Sequence, residues 1–360
     1  MRVFLISPYH SGSHQSWAEG YIAHSRNSIH LLSLPGRFWK WRMAGSSVTF
    51  AHMTEELMKE VGPPDVVIAD DMLELDAYLG LTRRFLSDPK VILYMHENQL
   101  TYPLSGKAAP DVSYGFRNWK SMAVADEVWF NSNFHLEEVA NALPALLNSF
   151  PDHKHSDYQS EVMERARVMP IGVETIPAGT KTSPPLLLWN HRWEYDKNPS
   201  ALFAALDSLL DLPWRLALCG ENFSNSPKEF LDAKKRYGDR VIQFGHAPRE
   251  RYEALLGEAA IAISTANHEF FGISVVEAVS AGALPLLPTR LSYPELIPSS
   301  AHDRCLYGDD QGLAPRLRTL LENPAATARD VEGLAASMQR FSWNTMAPRY
   351  DDALEDLVNR

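Results

Sequence analysis

Short, strongly apolar runs separated by amphipathic stretches set the tightest limit on what this chain can fold into. In the first half the runs are VFLIS (3–7), IHLLSL (29–34), DVVIAD (65–70), VILYMH (91–96), EVWFNS (127–132) and VMPIGV (168–173). The second half restarts the series with LLLWNH (186–191), WRLALCG (214–220), VIQFGH (241–246), IAIST (261–265) and LPLLP (284–288). Helical patterns such as LELDAYLGLTRRFL and HLEEVANALPALL fill most gaps. Alternation of apolar strands with helices implies parallel sheets covered by helices on both faces. Between the two series lies IPAGTKTSPP (176–185), which has no periodic apolar face and reads as a linker. The expectation is an α/β chain of two Rossmann-like domains, residues 1–178 and 184–342, facing an interdomain cleft. Residues 343–360 are expected to form a C-terminal helix that packs back on the first domain.

Composition agrees with a globular chain and removes several function classes. The 360 residues suit two domains, with 45% apolar and 22% charged residues. No apolar run approaches the roughly 20 residues of a membrane span, so stable membrane association is not expected. MRVFLIS at the start turns polar too soon for a signal peptide and reads as a first strand. Cys219 and Cys305 sit in apolar surroundings without motif spacing, which points to a reducing, cytoplasmic setting and away from disulfides or structural zinc. Net charge is −11, and neither half is basic, so bulk charge cannot grip nucleic acid. A local basic patch remains open.

Ligands of parallel sheets bind beyond the carboxyl ends of the strands. Chemistry is therefore sought there. PYHSGSHQSW (8–17) places Gly12 between the first strand and a helix, which fits either a close approach to an anion or an ordinary turn. MHENQLTYP (95–103) puts His96 at the end of the fourth strand, as a core residue or a cleft residue. No second His or Cys at ligand spacing supports a metal there, and His10 and His14 straddle Gly12 in a loop. Asp70-Asp71 ends a strand and is expected to cap the following helix. NHRWEYDKNPS (190–200) carries Arg192 and Lys197. They suit a diphosphate, as a forked donor and a point charge, or else belong to a solvated loop with Glu194–Lys197 or Asp196–Arg192 pairing.

HEFFGISVVEA (268–278) follows another strand and holds Glu269 and Glu277 with seven residues between them. Gly272 permits close backbone approach, and amides from Phe271 to Ser274 fall at a helix start. Glu269 reads as the group at the reactive end of an elongated ligand or as a helix-start acid. Glu277 reads as a hydroxyl acceptor further along or as a surface residue. Its apolar neighbours mean that a carboxylate there needs a partner.

Taken together, these residues resemble the GT-B-fold retaining glycosyltransferases of the glycogen-synthase-like superfamily. The carriers are the Glu-x7-Glu block Glu269-Phe270-Phe271-Gly272 to Glu277-Ala278, the Arg192/Lys197 pair, the loop glycine Gly12 and the strand-end His96. GSHQSWAEG, LPGRFWKWR, YMHENQLTYP, NSNFHLEEV, NHRWEYDKNP and NHEFFGISVVEAV further resemble the tRNA-queuosine α-mannosyltransferase family. Two departures from the superfamily stand out. Ser-Gly-Ser replaces a two-glycine loop, and Cys219-Gly220-Glu221-Asn222 replaces a Gly-x-Gly-Pro type of turn.

The resemblance implies a GT-B enzyme that moves mannose from GDP-mannose to the cyclopentenediol of queuosine in tRNA, with retention and without a metal or other cofactor. Arg192 and Lys197 would hold the leaving diphosphate, whose oxygen would serve as base for the acceptor hydroxyl. Gly12, Phe271 and Gly272 would border the donor. Glu277 would accept from ribose hydroxyls, Glu269 would orient the sugar, and His96 would contact its 6-hydroxyl or the reacting centre. The acceptor is expected on the first domain at GRFWKWRMAG (36–45), where Arg37, Lys40 and Arg42 interleave with Phe38, Trp39 and Trp41. Locally that segment also fits a half-buried edge strand with core aromatics, or a short membrane-surface patch. Another acceptor (glycan, lipid or small molecule) on the same fold and a non-catalytic nucleotide-sugar sensor are the competing function classes.

Overall fold

The computed structural model describes residues 1–103, 111–220, 227–324, 331 and 333–360. The chain divides into unit 1, Met1–Gly172 with Trp343–Arg360, and unit 2, Val173–Ser342.

Unit 1 runs β1 (Arg2–His10), α1 (Gly12–His24), β2 (Ser28–Pro35), α2 (Trp39–Val61), β3 (Val66–Asp70), α3 (Leu75–Thr82), β4 (Lys90–Met95), α4 (Val112–Val124), β5 (Glu127–Phe130), α5 (Asn133–Asn148), α6 (Ser156–Glu164) and β6 (Ala166–Val168). The strands pair in parallel in the order β2-β1-β3-β4-β5-β6. Phe4, Ile6, Val67, Ala69, Leu93 and Phe130 are buried on the sheet, with Phe50, Trp119 and Met122 from the helices against them. The direction in which successive strands are added reverses at the β1/β3 pair, and in parallel sheets ligands bind beyond strand ends at such a point.

The C-terminal helix, Trp343–Val358, belongs to unit 1. The buried carboxylate of Asp351 anchors it. Asp351 accepts from the Tyr21 hydroxyl at 2.8 Å, the Ser25 hydroxyl at 2.6 Å, the Arg26 amide at 2.9 Å and Asn27 Nδ2 at 2.9 Å. Four donors from one turn and its exit satisfy a charge that would otherwise be costly to bury.

Unit 2 runs β7 (Leu186–Asn190), α7 (Pro199–Asp207), β8 (Arg215–Cys219), α8 (Lys228–Tyr237), β9 (Val241–Gly245), α9 (Arg249–Glu258), β10 (Ala259–Ile263), α10 (Ile273–Ser280), β11 (Leu284–Pro288), β12 (Leu306–Tyr307) and a further helix over Asp310–Glu322, with short helical turns besides. Its parallel order is β12-β11-β10-β7-β8-β9, with the reversal at β7/β10.

Several sequence expectations are corrected. The sixth run of unit 1 is a strand only over Ala166–Val168 and not over 168–173, because Pro170 carries no amide to continue the ladder. LELDAYLGLTRRFL is helical only through Thr82. Segment 176–185 has no regular element but is no free linker. Lys181 Nζ donates to the carbonyls of Gly257 and Ala281, each at 2.9 Å, and the Ile176 amide donates to Ser280 Oγ at 3.2 Å. β12, a two-residue strand, was too short to register as an apolar run.

Candidate functional site

In unit 2 the loops after β7 and β10 are stitched together at the β7/β10 reversal. The Asn267 amide donates to Asp196 O at 2.7 Å, Thr265 Oγ1 donates to Lys197 O at 2.8 Å, and Trp189 Nε1 donates to Thr265 Oγ1 at 3.2 Å. This register brings Lys197 to Glu269, far apart in the chain. Lys197 Nζ donates to His268 O at 2.5 Å and lies 3.2 Å from Asp196 Oδ2 and 3.5 Å from Glu269 Oε2. The Lys197 side chain is 6% exposed and that of Asp196 1%. Arg192 is far more open, at 46%, with Glu194 Oε1 at 3.7 Å from its Nη1. The charge pairs within this loop are therefore Arg192–Glu194 and Lys197–Asp196, not those expected from sequence.

Glu269 stands three residues before Gly272, outside the first turn of α10, and turns toward Lys197. Burial pushes its carboxyl up. The Lys197 ammonium, with Arg192 adding, outweighs burial and holds it below the usual range. His191 and His268 are pulled down to about 4 by burial, with Lys197 adding, so both are neutral imidazoles at pH 7. His191 Nε2 is buried without a hydrogen-bond partner.

α10 starts because Gly272 takes φ +105°, a left-handed cap that places its carbonyl to accept from the Val275 and Val276 amides at 3.0 and 3.2 Å. Phe270 and Phe271 are buried and fix the approach to it. The Phe271 carbonyl accepts from the Ser292 hydroxyl at 2.8 Å. Glu277 on α10 is half-buried, and the partner its surroundings demanded is Tyr252, whose hydroxyl donates to Glu277 Oε2 at 2.8 Å. Asn190, at the end of β7, donates to the Tyr252 hydroxyl at 2.9 Å and to Ser274 O at 3.0 Å. Arg249 Nη1 lies 3.7 Å from Glu277 Oε1. Burial still raises the Glu277 carboxyl against the pull of Tyr252 and Arg249. Sequence reading missed Asn190, Asp196, His191, Arg249 and Tyr252. The first three flank Arg192 at the strand end, where the strand-end rule pointed. Nothing in the sequence marks Tyr252 on α9. Of the unusual turn at 219–222, Glu221 and Asn222 lie outside the described residues.

In unit 1, Gly12 opens α1 with φ +53° and open space where a Cβ would stand. His14 Nδ1 and Asp70 Oδ2 are 3.1 Å apart and buried. Burial opposes charge on His14, but Asp70, helped by Asp71 and Glu97, raises its pKa to about 9. Asp70 and Asp71 do not cap α3. Asp70 Oδ1 accepts from the Met72 amide at 3.1 Å, and Asp71 Oδ1 accepts from the His96 amide at 2.8 Å. The turn after β3 and the end of β4 need those acceptors, and α3 begins only at Leu75 with no side-chain cap. His96 follows β4, buried among Trp17, Tyr94 and His14 with ring centroids 5.0, 4.7 and 4.2 Å away. Both its ring nitrogens are buried without partners, and burial, then His14 and His135, holds it well below its usual pKa. It is a neutral imidazole with polar capacity to spare.

Segment 36–45 is not an edge strand. It is the turn and first residues of α2, with Phe38 67%, Trp39 36% and Trp41 75% exposed. Arg37 and Lys40 are exposed, and Arg42 Nη2 donates to Pro35 O at 3.3 Å. Among the described residues no group of three or more His, Cys, Asp or Glu is placed to hold a metal ion. No described helix is long and apolar enough to cross a membrane.

Comparison with known proteins matches this division. Residues 2–173 match the family model "tRNA-queuosine alpha-mannosyltransferase N-terminal", and residues 175–333 match "Glycosyl transferases group 1". The chain is 32% identical to the tRNA-queuosine alpha-mannosyltransferase of Drosophila melanogaster over 97% of its length and 95% of that protein. It is 27% identical to the GDP-mannose:cellobiosyl-diphosphopolyprenol alpha-mannosyltransferase of Xanthomonas oryzae, over 72% of this chain and 70% of that one. Among solved structures, sucrose-phosphate synthase from Thermosynechococcus elongatus superposes with a TM-score of 0.78 at 15% identity, covering 100% of this chain and 99% of that one. That likeness concerns the fold, two Rossmann-like units of the GT-B class. The sequence match, by contrast, spans both units at a level that fixes kinship: the chain is a glycosyltransferase and belongs to the tRNA-queuosine alpha-mannosyltransferase family.

Proposed function

We propose that this protein transfers mannose from GDP-mannose to the cyclopentenediol of queuosine in tRNA, retaining the anomeric configuration. The observation that carries the reading is the convergence of Lys197 and Glu269 beside the Gly272 helix start, in a chain akin to a tRNA-queuosine mannosyltransferase over 97% of its length. The naming of GDP-mannose for the Xanthomonas relative supports the donor.

Each residue then has a role its surroundings can sustain. Arg192 offers its guanidinium fork to the diphosphate. The 3.5 Å Glu269 contact is the longest of the three around Lys197 Nζ, and a phosphate oxygen can take it over. Released from the lysine, Glu269 orients the sugar hydroxyls. Charge growing on the leaving diphosphate is then met by two cations and by α10 amides from Phe271 onward, which is the dominant kind of rate enhancement for such a step. Glu277, already shaped by Tyr252, accepts from the ribose. Within unit 1, Gly12 and the unpartnered ring nitrogens of His96 are the groups left open to a phosphate or a sugar hydroxyl. Arg37, Trp39, Lys40, Trp41 and Arg42 take the tRNA.

The test is incubation with a panel of nucleotide sugars and queuosine-containing tRNA, followed by digestion and mass analysis of the nucleosides. Gain of one hexose on queuosine, with GDP-mannose alone, is the expected result. Hexose transfer only to a lipid or glycan, or donor binding without turnover, would overturn it.

A further inference from the structure

We propose that the start of α2 and the start of α4 together form a stacking platform for the unpaired bases of an RNA loop, with Tyr114 and Arg117 as members. The proposal deepens the tRNA reading above and rests on it for the identity of the partner.

The platform is visible only in three dimensions. The Trp39 ring packs on Tyr114 of α4 with centroids 5.1 Å apart. The Arg117 guanidinium lies over the same Tyr114 ring at 5.2 Å, and Lys40 Nζ lies 5.5 Å from the Trp39 centroid. Arg37 stands 5.8 Å from the exposed Phe38 ring. The Asp111 carboxyl, at the start of α4, reports the same juxtaposition. It is held low first by its Ser113 hydrogen bonds, and then by Arg117 of its own helix and Lys40 of the other. Aromatic rings and cations thus alternate across two helix starts that are about 70 residues apart in sequence.

Phe38 and Trp41 are the two most exposed of the large apolar side chains described. Three neighbouring aromatics left partly or largely in water on one helix start mark a binding surface, not a core. Four cations, Arg37, Lys40, Arg42 and Arg117, are set against Asp111 and Glu74, the latter 3.9 Å from Arg117 Nε. The local excess is positive on a chain of net charge −11, which complements a polyanion at this place and nowhere by bulk.

The geometry favours unpaired bases over other anionic surfaces. Duplex RNA hides its base faces and offers phosphates and 2′-hydroxyls, for which stacked rings have no use. Unpaired bases stack on aromatic rings and on guanidinium planes, and cations between the rings meet the phosphates. A membrane-surface helix would carry its apolar face along several turns. In α2 the residues beyond the first turn that pack, Met43, Ser46, Ser47, Phe50, Ala51 and Thr54, are buried in unit 1.

The test uses the full chain and three probes: a short stem-loop RNA without queuosine, a blunt RNA duplex of equal length, and phosphatidylserine-rich vesicles. Binding is read by anisotropy of labelled RNA and by tryptophan quenching. The stem-loop should bind at least about tenfold more tightly than the duplex, and vesicles should not compete. Tyr114→Leu with Arg117→Gln should weaken stem-loop binding about tenfold while GDP affinity and the far-ultraviolet spectrum stay unchanged. Arg117→Lys keeps the charge but not the plane, so it should lose affinity while keeping the salt slope. Wild-type binding by both variants, equal binding of the duplex, or capture by vesicles in place of RNA would each overturn the platform. Because the probe lacks queuosine, loss of binding in the variants without any mannose transfer would sink the enzymatic reading and leave the platform standing. Transfer to queuosine-tRNA with unaffected stem-loop binding would do the reverse.

Discussion

Lys197→Met removes one ammonium and keeps most of the buried stem. In the native protein that ammonium serves the His268 carbonyl, Asp196 and Glu269 at once. Asp196 is the more exposed to its loss in energetic terms, because its carboxylate oxygens have no hydrogen-bond partner beyond the ion pair and its side chain is almost wholly buried. Breaking a buried pair from one side costs about 3–5 kcal/mol. For a unit of this size each kcal/mol moves the melting temperature by about 2–4 °C. A drop of about 6–20 °C is therefore expected at neutral pH, read by circular dichroism. Asp196→Asn in the Lys197→Met background removes the stranded charge and should recover at least half of the loss, since contacting residues are not additive. Calorimetry on the double variant then isolates the ligand effect: the fold is restored, but GDP binding stays weakened. A Lys197→Met melting curve that overlays wild type, or a double variant no more stable than the single one, would refute the assignment of Lys197 as the cation that both stabilises this loop and faces the diphosphate.

Tyr252→Phe deletes the hydroxyl between Asn190 and Glu277, so the donor KM should rise about five- to tenfold with kcat nearly unchanged, the signature of lost ground-state binding. The raised pKa of His14 makes a stabilising contribution that is fully present below its unfolded value of 6.5 and lost as pH rises through about 9. Melting temperatures between pH 6 and 10 should show that alkaline loss, on the order of 3 kcal/mol, and His14→Gln should flatten it. Mannosyl transfer should survive exhaustive chelation, since Arg192, Lys197 and the α10 amides supply the positive charge. Loss with EDTA that magnesium or manganese restores would contradict this.

Period and composition carried most of the architecture. An apolar run buried on both faces has few alternatives to a parallel strand, so ten of the eleven runs appear as strands near their expected places, and VMPIGV does so only at its edge. The same strand-end logic singled out Gly12, His96, Arg192, Lys197 and Glu269, and the fold does set each of them beyond the carboxyl end of a strand. What no local pattern contains is the strand order. Only the β7/β10 reversal puts Lys197 against Glu269, and only the fold brings Tyr252 of α9 under Glu277. The fate of charged side chains was likewise undecided in sequence. Asp70 and Asp71 look like helix caps until the start of α1 and the end of β4 arrive with a histidine and an amide that need them more. Segment 36–45 shows the limit most plainly. Alternating aromatic and basic residues fit a strand with one buried face, since a period of two is all that four to six residues can display. The left-handed turn at Phe38 starts a helix instead, whose later turns bury their own face in unit 1 and leave the rings outside. Residue types determine which chemistry a segment can perform. Burial and the neighbours brought by distant chain decide whether it is left free to perform it.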